Sequence, residues 1–513
     1  MTRRRRWTLV AVCAATFMLL VDITIVQVAL PRIQRELHAS LTSLQWVIDA
    51  YALALAALIL SSGSLADRFG RKRVFMAGIA VFTAGSVLCG LASSADFLIA
   101  ARAIQGVGGA AMFATSLALI GQEFHGAERA TAIAAWGSTV GVAIALGPLV
   151  GGIVTETLGW QWIFFVNVPI GVVSMALAQP LLANVSDPDA ARLDVGGLLC
   201  FSGALFGLVF ALQRGNSVGW ASAQIIVPLV GAALLLAAFV VLELRQEHAM
   251  FDLALFRNRT FCGVSVATFL LGAGMFSMMV FIALFLQNLL GFSPLGGGVR
   301  MLPMTSLVFV VPLLVRRFLA AVPQRVMLSL GMAFVSLGLL LLHDAGAHSS
   351  WTVLLPGLVA IGVGIGLANP AIATTGLGVV APARAGMASG ISNTFRIAGL
   401  ATGVAAIGAI FKERISSSLA ASVPHAPAHL ADLVASSGVQ RLGGGAHVAA
   451  AARVAFVSGF DSIALVGACA TLIGAVAALL LVRGRDFARV PSAAAASGAA
   501  REPVLAGGES HQG

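Results

Sequence analysis

Fourteen stretches of this chain run for about twenty residues almost without charge, and that repetition limits the fold more than any single motif does. They cover 7–30, 44–62, 74–92, 97–119, 131–153, 162–182, 195–212, 223–243, 261–286, 299–315, 326–342, 352–371, 387–411 and 459–482. A helix rising about 1.5 Å per residue needs roughly 20 residues to cross a bilayer core. The pattern predicts fourteen membrane-spanning helices and an all-α polytopic membrane protein. Only 10% of the 513 residues are charged, against about a quarter in soluble domains. No soluble domain is expected between the spans.

The net charge of +10 does not indicate nucleic acid, because the basic residues are scattered between apolar runs. The positive-inside bias of membrane loops explains them. An even number of spans puts both termini on one side. With both termini cytoplasmic, inner Lys and Arg outnumber outer ones by about three to one, which supports that orientation. Arg3 to Arg6 would then hold the first span in place as a retained helix rather than a cleaved signal. The five cysteines lie in apolar runs without CxxC, and the histidines lack metal spacing, so neither a metal nor a disulfide is expected. The longest outer loop, about 412–458, is expected to hold at most a short helix, and the tail 483–513 to be disordered.

Span two ends in "GSLADRFGRKRVF", where Gly63 and Gly70 permit a tight turn and Asp67 precedes Arg68 and Arg71. In this loop the chain resembles the major facilitator superfamily. "RAIQGVGGA" from Arg102 resembles its fourth-helix motif, and "GSTVGVAIALGPLVGG" (137–152) resembles the fifth-helix motif of its antiporters. "LLVDITIVQVALP" (19–31), "GWQWIFFVNVPIG" (159–171) and "GFSPLGGGVRMLP" (291–303) resemble the fourteen-span drug:proton antiporter branch, to which EmrB- and QacA-like exporters belong. The resemblance reaches nearly to residue 482. It implies an N-terminal six-helix bundle (1–182), two additional helices with linkers (183–260) and a C-terminal six-helix bundle (261–482), working by alternating access. The second bundle departs from the pattern. Its loop "VRRFLAAVPQRVM" (315–327) lacks the D-R-x-G signature.

The loop residues Gly63, Asp67, Arg68, Gly70 and Arg71 are expected to form a cytoplasmic gate, with Asp67 facing a helix N-terminus or Arg71. In span five Gly137, Gly141, Ala145, Pro148 and Gly152 share one helical face. With Gly147 and Gly151 they form a small-residue motif suited to a hinge or to a seal between bundles. Charges inside a span are costly and usually face a cavity or a partner. Asp22 sits roughly 12 Å below the outer end of span one, and Asp49 and Arg102 roughly 8 Å down spans two and four. Two carboxylates could therefore share one arginine and exchange a proton. The rival is a structural ion pair between Asp22 and Arg102. Asp49 could also be solvated near the outer surface. Gln287 and Asn288 are expected near the outer mouth of span nine. Arg396 is expected either in the cavity or reaching inward, and Arg300 at the outer interface.

These readings predict a proton-driven exporter of lipophilic drugs or antibiotics, monomeric in the cytoplasmic membrane, with protons, small lipophilic substrates and lipids as its partners. No GxxxxGK[ST] appears, so no nucleotide cofactor is expected and the proton gradient is the expected energy source. The alternative is transport of an endogenous metabolite such as an amino acid, siderophore or lipid. A receptor would be expected to carry a soluble output domain. A membrane enzyme would be expected to carry a nucleophile motif or paired histidines, and neither is seen.

Overall fold

The computed structural model describes residues 3–186, 194–246, 251–315, 322–343, 346, 349–380, 385–423, 430–437 and 445–489. Fourteen helices among them are long and apolar enough to cross a membrane. The first six are α1 (Arg3–Leu37), α2 (Leu41–Phe69), α3 (Arg71–Gly90), α4 (Ala95–Glu123), α5 (Gly126–Thr157) and α6 (Trp162–Leu181). Two follow, α7 (Val195–Val218) and α8 (Ala223–Arg245), packed on each other. The rest are α9 (Arg259–Leu289), α10 (Pro294–Val315), α11 (Gln324–Leu341), α12 (Leu355–Gly378), α13 (Ala385–Ser422) and, after the short α14 (Leu430–Ser437), α15 (Gly445–Leu481). The fourteen expected spans are all present, and no strand occurs among the described residues.

Short polar side chains start several helices by accepting otherwise orphaned amides. Ser40 Oγ takes the Ser43 amide, Ser94 Oγ takes Phe97, and Asp194 takes Gly197 at 2.7 Å. Gly70 turns α2 into α3 with φ of +101°, and a Cβ there would lie 2.5 Å from Asn184 Cγ. Only glycine fits that turn.

One packing pattern occurs twice. In the first half α1 packs on α5 and α6, α2 on α4, and α3 on α4 and α6. In the second half α9 packs on α13 and α15, α10 on α12, and α11 on α12 and α15. Between halves, α2 packs on α13 and α5 on α10, the pairing expected of two repeats related by a twofold axis. Helix α7 lies against both α2 and α13.

Several expected boundaries move. The loop expected at 412–458 is narrower, because α13 continues to Ser422 and α15 begins at Gly445. The expected short helix in it is α14, which packs on α1, α2, α13 and α15, with Val434 and Ala435 fully buried. The tail expected to be disordered from 483 begins with a 3-10 turn, Gly484–Arg489, in which Asp486 accepts from Thr260 Oγ1 at 2.6 Å. Residues 490–513, and Arg316 and Arg317 of the second-half loop, lie outside the described residues. Helix α9 is not uniform: Gly272–Phe276 and Phe285–Leu289 are π-helical turns. Such turns mark places where a helix is locally widened, frequently at functional sites.

Candidate functional site

Asp22, on α1, is fully buried and bound on three sides. Arg102 Nη1 of α4 donates to its Oδ2 at 2.5 Å, while Gln105 Nε2 and Asn167 Nδ2 donate to its Oδ1 at 2.8 and 3.1 Å. Gln105 and Asn167 also donate to Ser86 Oγ of α3. Arg102 has further partners: its Nε donates to the Val47 carbonyl of α2 at 3.1 Å, its Nη1 to Gln105 Oε1, and its guanidinium lies 4.1 Å from the Tyr51 ring centroid. Charge and hydrogen bonds are balanced within the cluster, the condition under which a buried ion pair is tolerated. Of the two readings of Asp22, the geometry matches the ion pair with Arg102.

Asp49 does not join that cluster, so the expected sharing of Arg102 by two carboxylates is not found. Asp49 projects from α2 toward α7, where Gln213 Nε2 donates to its Oδ2. Its Oδ1 has no hydrogen-bond partner among the described residues, nor has Gln213 Oε1. Asp49 is 0% exposed, which also excludes the solvated surface position.

The fifth-helix motif divides between two neighbours. Gly147 and Gly151 face Thr24 and Ile25 of α1, within the first half. Gly152 faces the backbone of Pro294 and Leu295 on α10, Gly141 lies against Phe309, and the Pro148 carbonyl meets Gly298. The expected seal between halves therefore belongs to Gly141, Pro148 and Gly152. Gly137 and Gly63 border open space, where an added methyl group would meet nothing within 4 Å. Gln287 and Asn288, in the second π turn, are buried rather than at an open mouth, and Gln287 Nε2 donates to the Val28 carbonyl at 2.8 Å. Gln45 Nε2 donates to the Val404 carbonyl at 2.8 Å, and the Leu295 amide to Glu156 Oε2 at 2.9 Å. These bonds between halves lie toward the α1–α2 turn, and the halves are closed there. Arg396 is half-buried beside Asn393, to which it donates. Arg300 lies 3.4 Å from the Phe292 ring centroid and 5.4 Å from that of Trp351.

The Major Facilitator Superfamily model matches residues 12–404. The chain belongs to the major facilitator superfamily. It is 37% identical over 420 residues to multidrug resistance protein Stp of Mycobacterium tuberculosis, covering 82% of this chain and 78% of that one. It is 34% identical over 427 residues to the tetracenomycin C resistance and export protein of Streptomyces glaucescens, covering 80% and 77%. In fold it is similar to a bacterial homologue of the human lysosomal transporter Spinster in an inward-facing conformation. The TM-score is 0.62 at 17% identity, over 95% of this chain and 98% of that one.

The superfamily loop between α2 and α3 is held by its own half. Arg71 Nη2 pairs with Asp67 at 2.9 Å and Nη1 reaches the Ala118 carbonyl at 3.5 Å, while Lys72 donates to the Gln179 carbonyl. Arg68 lies near the Phe69 ring. Arg71 is one of the two partners expected for Asp67, and among the described residues none of Asp67, Arg68 and Arg71 bonds to α9–α15. Ser86, Gln105, Asn167 and Gln213 are not among the residues expected from sequence. Gln105 stands three residues after Arg102 on the same helical face, a signal that was available. Gln213 lies 164 positions from Asp49 on a helix outside either repeat, with no motif to mark it.

Proposed function

We propose that this multi-pass membrane protein is a proton-coupled exporter of lipophilic drugs or antibiotics, with both termini in the cytoplasm. The kinship with proteins named for multidrug resistance and antibiotic export supports the substrate class. The observation that carries proton coupling is Asp49, a carboxyl fully buried in a span, with a neutral amide as its one hydrogen-bond partner among the described residues. Gaining or losing a proton there switches a full charge on and off inside the protein, which changes the relative cost of its conformations. Asp22 and Arg102 act as a fixed pair that shapes the first half around this group.

In this reading the closed α1–α2 end faces outward, and a lipophilic compound enters from the cytoplasm. Outward opening separates α5 from α10 and α2 from α13, exposes Asp49 to the outer medium and releases the compound as the proton is taken up. The test is uptake of a panel of lipophilic cations and neutral antibiotics into everted vesicles, with and without an acid-inside pH gradient. Wild type is expected to need the gradient, and Asp49→Asn to bind compounds yet lose gradient-driven transport. Gradient-driven export that survives in Asp49→Asn removes Asp49 from the mechanism.

A further inference from the structure

Helix α7 belongs to neither repeat, yet its side chains bond to both. Gln213 donates to Asp49 on α2, and Asn216, one turn on, donates to the Ala409 carbonyl on α13 at 2.5 Å. On α2, one turn before Asp49, Gln45 reaches the Val404 carbonyl of the same α13, against Gly408, where a side chain would block it. Three amide side chains thus stitch α2, α7 and α13 together at the end where the halves are closed. When the halves part there, the Gln45 bond breaks, and α7 cannot keep both of its own attachments.

The two attachments differ chemically. The Asn216 bond joins two neutral groups. The Gln213 bond ends on a carboxyl, and an amide bound to a carboxylate is roughly twice as strongly held as one bound to a neutral acceptor. No other ionic group competes for Asp49 among the described residues. Arg102 is paired with Asp22, Arg71 with Asp67, Arg32 with Glu36 and Lys412 with Asp432, while Arg396 bonds Asn393 and Arg214 lies 5.4 Å from the Phe210 ring centroid.

We propose that Gln213 is the positioning residue of Asp49 and that α7 is a proton-controlled strap. It follows α2 when Asp49 is ionised, and follows α13, through Asn216, when Asp49 is protonated. The strap rests on the reading of Asp49 as the proton-carrying group. It gives the additional helix pair a role in the cycle, which is to transmit the protonation state of the first half to the second.

The test places spin labels at Ser217 on α7 and Glu413 on α13, both exposed, in a chain lacking its native cysteines, reconstituted in nanodiscs. Distance distributions are recorded at acid and alkaline pH. In wild type the share of molecules with α7 far from α13 is expected to rise about fivefold from acid to alkaline pH, the ratio set by about one hydrogen bond. Gln213→Met is expected to lose this response, and Gln213→Asn, which is too short to reach Asp49, to lose it too. Asn216→Leu is expected to raise the far population at both pH values. A wild-type response retained in Gln213→Met, or no response in wild type, overturns the strap. Efflux by Asp49→Asn separates the two ideas. If it remains gradient-driven, the proton reading itself fails. If coupling is lost while Gln213→Met keeps the wild-type distances, only the strap fails.

Discussion

Gly152→Ala adds one methyl group at the seam between halves. A Cβ there would lie 2.7 Å from the Pro294 carbonyl oxygen, 2.9 Å from Leu295 Cα and 3.2 Å from Leu295 N. All three are backbone atoms of α10, so no rotamer change relieves the contact, and the helices must move apart by several tenths of an ångström. Overpacking of this kind costs typically ~1–3 kcal/mol. The cost falls only on the conformation in which α5 and α10 touch here, because parting the halves at this end removes the contact. The ratio of open to closed molecules should therefore rise about 5- to 150-fold. Leu158, just past α5, and Ser293, just before α10, are exposed and suit spin labels. Gly152→Ala should move the Leu158–Ser293 distance distribution toward longer values without substrate, and lower the export rate by slowing reclosure. Distances and transport both unchanged from wild type, in a well-folded Gly152→Ala preparation, would refute the assignment of this glycine to the seam.

Four further outcomes test the scaffold. Arg102→Leu leaves Asp22 buried without its counter-ion and should cost ~3–5 kcal/mol, read as lost yield or a lower melting temperature in detergent; adding Asp22→Leu should recover part of it. Gly70→Ala should cost ~1–3 kcal/mol through its backbone conformation alone, so Asn184→Ala, which removes the side chain in the way, should rescue thermal stability only in part. Lys412→Met removes a half-exposed pair with Asp432, worth at most about 1 kcal/mol, and should leave the melting temperature nearly unchanged. Val434→Asp, which places a charge on the buried face of α14, should release that helix and speed protease cleavage of the loop.

The spans were legible because avoidance of charge is a local property that each helix must satisfy alone. Their ends were less so. Beyond the hydrocarbon core α13 and α15 continue through Ser- and Ala-rich stretches that read equally well as loop, and both pack on α14. The two π turns of α9 were not legible, because a run such as Phe285–Leu289 has the same composition whichever hydrogen-bond register it adopts. The Asp22–Arg102 pair could be anticipated from depth along two helices. Depth misled for Asp49, since it fixes a layer but not a direction: Asp49 shares the layer of Arg102 and points to another helix. The small-residue stripe of α5 was legible as a close-packing surface, yet which glycine meets which half depends on the placement of α1 and α10 on either side.

The cluster around Asp22 draws on α1, α2, α3, α4 and α6 at one level of the first half. A knot of that kind ties those five helices together at one level. The second half has its two widened turns in α9, one packed closely on α13 at Gly272 and Arg396, the other donating to α1 through Gln287. The two repeats thus differ in build: the first is cross-linked by side-chain hydrogen bonds at one level, and the second carries the two widened turns.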